Sequence, residues 1–184
     1  SSFTLKYFGL TVHPFGDKTA HLQPYKLDDQ ARFVVNFGVF AGYEQFVYKD
    51  LIGIKYIQAV FTDCSGGLAG ISHLGLRLRL YDGFKKHSFY LGVGPTFLYR
   101  KSWTRFGDDY TSSGYFNEVS VWRIPVQHKV IPYGMEIEWD YRINETNRLS
   151  VGFTPGIPMA VTFSVGWKHW INQKVFDYEK VYIP

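Results

Sequence analysis

Among the chain's polar residues, two histidine–serine neighbours come nearest to a catalytic pairing: Ser72-His73 and His87-Ser88. A serine nucleophile needs a histidine base within hydrogen-bond reach, with a carboxylate behind it. Adjacent residues on a strand point to opposite faces, so neither pair forms a dyad if it lies in a strand. His73 then reads as a structural histidine inside a polar plug. His13 and His21 flank a loop that also holds Asp17, Asp28 and Asp29. Seven intervening residues and two prolines in the loop do not match a known metal-ligand spacing, so a solvated loop is expected. Cys64 is the sole cysteine, with no internal disulfide and no metal pattern. Ser65-Gly66-Gly67 reads as a turn rather than a phosphate cradle. The residues therefore assign no catalytic group, metal or cofactor.

The elements around these residues alternate. In 133–143, Tyr133, Met135, Ile137, Trp139, Tyr141 and Ile143 share one face. Gly134, Glu136, Glu138, Asp140 and Arg142 share the other. Period two marks a strand with one apolar and one charged face. The pattern recurs in eight segments: roughly 3–13, 32–47, 51–62, 67–81, 87–103, 133–143, 147–154 and 159–171. The apolar set includes Phe33, Val39, Leu74, Leu76, Leu78, Phe89, Val93, Leu149, Val151, Phe163 and Trp167. The opposite set collects glycines with Lys6, Glu44, Lys55, Arg77, Arg79, Arg100, Glu136, Glu138, Asp140, Arg142 and Lys168.

The 184 residues suit one domain, and aromatics make up 19% of them, a level that fits a barrel with aromatic girdles. No run of about 18 apolar residues exists, which leaves barrel strands as the route across a membrane. A net charge of +4, with its cations dispersed, argues against nucleic acid as a partner. Ser1 opens the chain without Met and without an apolar leader, the form of a processed or trimmed chain. Links after the second, fourth and sixth segments are short, whereas 14–31 and 104–132 are long and leave from the opposite end. Short turns at one end and longer loops at the other are the habit of an up-and-down membrane barrel. Segment 117–131 is expected to add strand beyond the membrane.

Orientation decides the reading. Apolar side outward, the chain is an all-β, eight-stranded antiparallel transmembrane barrel with a filled polar lumen. Reversed, it is a soluble lipocalin-like carrier of an apolar ligand. The charge-free apolar face and the small residues on the charged face favour the first. Eight strands enclose a space that side chains fill, so the interior charges must pair. A lumen network is expected among Arg77, Arg79, Glu136, Glu138, Asp140, Arg142 and Lys168, rather than a conducting pore.

With its final strand Ala160–Trp170 ending in Trp167 and Trp170, the chain resembles the small eight-stranded bacterial outer-membrane barrels. That group includes the OmpA-type and OmpX-type barrels and the lipid A deacylases and palmitoyltransferases. The resemblance covers residues 3–171, is architectural, and singles out no member. It departs at the end, because residues 172–184 follow the closing strand. It implies integral outer-membrane localisation and membrane lipid as surroundings. The deacylase pattern, a histidine and a serine two apart on one strand face, is absent.

Domain organisation reads as a barrel, 1–171, with a periplasmic tail, 172–184. Phe176, Tyr178 and Tyr182 in the tail, with Trp103, Tyr110, Tyr115, Phe116 and Trp122 in the large loop, are the candidate partner contacts. The tail is expected to fold back on the barrel or to add a strand to a partner. The functional expectation is a non-enzymatic structural or accessory subunit that binds another outer-membrane or periplasmic protein. The alternatives are an enzyme that modifies lipid A or phospholipid, and the soluble carrier.

Overall fold

The computed structural model describes residues 1–83, 86–112, 114–156 and 160–171. Ten strands follow one another: β1 (Ser2–Val12), β2 (Phe33–Val35), β3 (Gly38–Tyr48), β4 (Ile52–Thr62), β5 (Leu68–Gly83), β6 (His87–Lys101), β7 (Asn117–Val121), β8 (Ile124–Arg142), β9 (Asn147–Gly156) and β10 (Ala160–Trp170). Every pairing is antiparallel. The order β10-β9-β8-β6-β5-β4-β3-β1 closes through a β1–β10 ladder, giving a closed eight-stranded up-and-down barrel. At the seam Gly166 stands opposite Lys6. A Cβ there would lie 2.1 Å from the Leu5 carbonyl oxygen, so only glycine lets the seam close at this height.

β2 and β3 form one stave, broken at Asn36-Phe37. Asn36 stitches the break: its Nδ2 donates to the Thr62 carbonyl at 2.8 Å, and its Oδ1 accepts from Thr11 Oγ1 at 2.6 Å. Its carbonyl accepts from Tyr7 Oη at 3.0 Å. The second departure from the expected strands is β8. It starts at Ile124 rather than near residue 133, and its upper half runs with β7 as a hairpin above the barrel. Pro132 does not stop it, because Pro132-Tyr133 lies in a bulge opposite Pro95, where no ladder N–H is required.

Pleating sorts the faces. On β1, Thr4, Lys6 and Phe8 are buried, and Phe3, Leu5 and Tyr7 are exposed. β5 buries His73, Arg77 and Arg79 and exposes Leu74, Leu76 and Leu78. The charged face is therefore inside and the apolar face outside, the reverse of a lipocalin-like carrier. Among the described residues, no helix is long and apolar enough to cross a membrane. Both ends of the barrel chain lie at the end with the short turns, where the Ile171 N–H donates to the Ser1 carbonyl at 2.9 Å.

Candidate functional site

The lumen is layered. Its lower layer is an ion cluster centred on Glu138, which takes Lys6 from β1, Lys55 from β4 at 2.8 Å, Arg77 from β5 and Lys168 from β10. Arg77 also grips Glu44 of β3. Lys55 reaches Glu136 at 2.6 Å, and Lys168 reaches Asp140 at 2.8 Å. Four cations thus face four carboxylates, a balanced set that buried charge requires. Small residues make the room: a Cβ on Gly152 would come within 2.9 Å of Lys6 Nζ.

Of the residues expected in this network, the structure brings Arg77, Glu136, Glu138, Asp140 and Lys168 together. Arg79 stands lower, 3.8 Å from Asp50 and beside the Trp170 ring. Arg142 needs correction. It closes β8 at the short-turn mouth, is half-exposed, and makes no ion pair among the described residues, as a charge that is not buried needs none. Sequence reasoning missed Arg148, which is 2% exposed. It donates to Ser88 Oγ at 3.1 Å and Tyr90 Oη at 3.2 Å and lies over the Trp170 ring. Its place two before Ser150 and four before Gly152 was a usable signal.

A polar lumen throughout is the second correction. Above the ion cluster, Phe8, Phe40, Ile57, Ala59 and Ile71 form an apolar layer, with Phe61 and Leu98 packed on it. Phe40, Ala59, Ile71 and Leu98 share one register row, so their inward side chains meet at one height. This layer and the cluster below it plug the barrel.

Above the plug lies a cavity of about 180 Å³, lined in part by Trp103, which opens a 3-10 turn, and by Phe116. Trp103, expected as an exposed contact, is 4% exposed. Its Nε1 donates to Asp63 Oδ2 at 2.6 Å, and its ring faces the Arg100 guanidinium at 4.1 Å. The Phe116 ring also lies 4.1 Å from the Arg100 guanidinium and packs edge-on against Tyr115. Tyr110 rests on Trp103. Tyr110, Tyr115 and Phe116 are half-buried and bind the loop to itself. Trp122 alone of the five is fully displayed, 93% exposed at the tip of the β7–β8 hairpin. Phe176, Tyr178 and Tyr182 lie outside the described residues.

His73, His87 and His13 each meet a partner other than serine. His73 faces the lumen, with Nδ1 2.7 Å from Thr96 Oγ1, and Ser72 faces outward onto Gln58 at 2.6 Å. His87 receives Trp139 Nε1 at 3.2 Å. His13 Nε2 lies 3.6 Å from Cys64 Sγ. Burial, reinforced by the Asp63 carboxylate, pushes the thiol up to about 12, and burial lowers His13 despite the attraction of Asp17. A thiol so held is not a nucleophile at neutral pH. Among the described residues no three metal-ligating side chains converge.

The sequence matches no protein-family model, and no curated protein matches it. Among solved structures, the crystal structure of the N-terminal beta-barrel domain of Pseudomonas aeruginosa OprF aligns with 91% of this chain and 96% of that chain. The identity is 10% and the TM-score 0.48.

Proposed function

We propose that the chain is an integral bacterial outer-membrane barrel that serves as a non-enzymatic accessory subunit, docking on another envelope protein through the β7–β8 hairpin. The outer wall supports the membrane assignment. Outward positions of β1, β3, β4 and β10 hold no Lys, Arg, Asp or Glu. An 11-residue strand such as β4, at ~3.3 Å per residue and tilted by ~40°, rises ~28 Å, enough for the ~25 Å apolar band of such barrels. A plugged lumen supports a role other than conduction.

The hairpin tip carries the docking assignment. Val121 pairs with Ile124 across the two-residue turn Trp122-Arg123, whose φ values are +49° and +66°. Such turns favour Asn-Gly, and a tryptophan held in the left-handed region is strained. Local strain of this kind clusters where a side chain is needed for function. Val119, Val121, Ile124 and Val130 are also exposed, and among the described residues β7 pairs only with β8. A protruding ribbon of this composition, with an aromatic at its tip, has the character of a binding anchor.

A photo-crosslinking residue at position 122, in native membranes, tests the reading. One defined higher-mass adduct is expected, absent when the probe sits at position 145 in the short turn after β8. A barrel that elutes alone from gently solubilised membranes, with no adduct at 122, would overturn it.

A further inference from the structure

We infer that the cavity above the plug is a binding site for a small uncharged molecule with an aromatic or compact apolar body and one hydrogen-bond acceptor. The inference stands independently of the accessory role. A cavity of about 180 Å³ exceeds the ~150 Å³ of an apolar cavity that holds benzene, so a body of roughly seven to nine heavy atoms fits. Phe61, Ala69, Leu98, Trp103 and Phe116 supply apolar walls. The floor is the apolar layer, so the site is a closed-bottomed cup rather than a stretch of channel.

The carboxylates on its wall are engaged by protein donors. Asp63 Oδ1 accepts from Ser65 N, Ser65 Oγ and Gly67 N, at 3.0, 2.7 and 2.7 Å, and its Oδ2 accepts from Trp103. Asp17 Oδ1 takes the Thr19 N–H and Oγ1, and its Oδ2 takes Gln23 Nε2. His13 faces Cys64. Arg100 donates from Nε to Gln127 Oε1 at 2.9 Å and from Nη2, at a long 3.5 Å, to Tyr110 Oη. Its Nη1 has no hydrogen-bond partner among the described residues, and it makes no ion pair there. Held by hydrogen bonds to Gln127 and Tyr110 and by the rings of Trp103 and Phe116, this guanidinium is a preorganised donor for a ligand oxygen.

Charge excludes an anion. Asp17 and Asp63 with Arg100 leave the wall one negative charge in excess when His13 is neutral, the form that burial favours. A neutral ligand with an ether, carbonyl or hydroxyl oxygen meets the donor without meeting that repulsion.

The probe is 4-fluorobenzyl alcohol, added to the full chain folded in detergent micelles and followed by fluorine NMR against micelles alone. A saturable bound signal is expected with the alcohol. It should be weakened at least fivefold with fluorobenzene, which lacks the oxygen, and with 4-fluorobenzoate, which carries charge. Leu98→Trp fills the cup from β6 and should reduce binding at least tenfold. Ala69→Phe, from β5, gives the same test should the first variant fail to fold, with foldedness read from heat-dependent gel migration. Equal signal in wild type and a folded filling variant overturns the inference, as does tighter binding of the benzoate. Absence of any saturable signal with the alcohol overturns it too.

Discussion

Replacing Glu138 with glutamine removes one negative charge from the middle of the lumen and little volume. Four cations would then face three carboxylates, Glu44, Glu136 and Asp140, and Lys6 would lose the one carboxylate with which it forms an ion pair. Breaking a buried pair by removing one partner costs about 3–5 kcal/mol. At ~1.36 kcal/mol per decade, that shifts the folding equilibrium roughly 200- to 5,000-fold. Charge balance, rather than shape, is the predicted cause. Pairing Glu138→Gln with Lys6→Met restores three cations against three carboxylates and should recover at least half of the loss. Reversible urea titrations in detergent micelles, read by tryptophan fluorescence and by heat-dependent gel migration, measure Glu138→Gln, Lys6→Met and the double variant. A Glu138→Gln barrel within about 1 kcal/mol of wild type would refute the reasoning. A double variant as unstable as the sum of the two single ones would refute it equally, because neighbours coupled through one carboxylate cannot be additive.

Four further outcomes are expected. Changing Trp122-Arg123 to Asn-Gly should stabilise the hairpin by about 1–2 kcal/mol, because it relieves two left-handed non-glycine residues, and should abolish the crosslinked adduct; slower hydrogen exchange in 117–130 reports the first effect. Cys64, with its thiol raised from 9.0 to about 12, should alkylate roughly a thousandfold more slowly at pH 8 in the folded barrel than in urea, as read by mass spectrometry. Gly166→Ala should prevent seam closure, visible as loss of the compact unheated gel band, since its Cβ would meet backbone. In the first outer loop, burial favours neutral His13, below its ordinary 6.5. Asp17 is held ionised below its ordinary 3.8: burial opposes ionisation, but hydrogen bonds from Thr19 and Gln23 outweigh it. Both native pKa values are depressed, so the unfolded loop binds more protons and stability falls on acidification, from about pH 6.5 downward for His13 and again below about 4 for Asp17. Hydrogen exchange over 13–32 should therefore quicken in the acid range, once corrected for intrinsic rates.

Strand positions were legible because period two survives wherever one face must be apolar, as in 133–143 and in 67–81. Register was not, and the errors follow from that. Phe8, Phe40, Ile57 and Ile71 lie on the charged face of their strands, and only pairing shows that they meet at one height to form an apolar layer. Trp103 looked like a loop aromatic because its partner, Asp63, is 40 residues away. Arg148 escaped notice as a single cation in a short strand. The break at Asn36 left no trace either, since its bonds run to Thr11 and Thr62 on other staves. Arg142 shows the converse: it has the right parity for the lumen, but its position at a strand end leaves it half in water.

Lys6 and Lys168, on the first and last staves, both terminate on Glu138 of β8. An open sheet lacking either edge would leave that carboxylate short of a cation, and the unclosed interior would have to keep water to solvate the remaining charges. Cancellation of the lumen's charges is therefore coupled to joining the two ends of the chain. A low-dielectric interior penalises every half-closed form in which charges remain uncancelled. A barrel closed in the wrong register, with Lys168 shifted off the level of Glu138, would leave buried charges unpaired, so the cluster favours the native register over its neighbours.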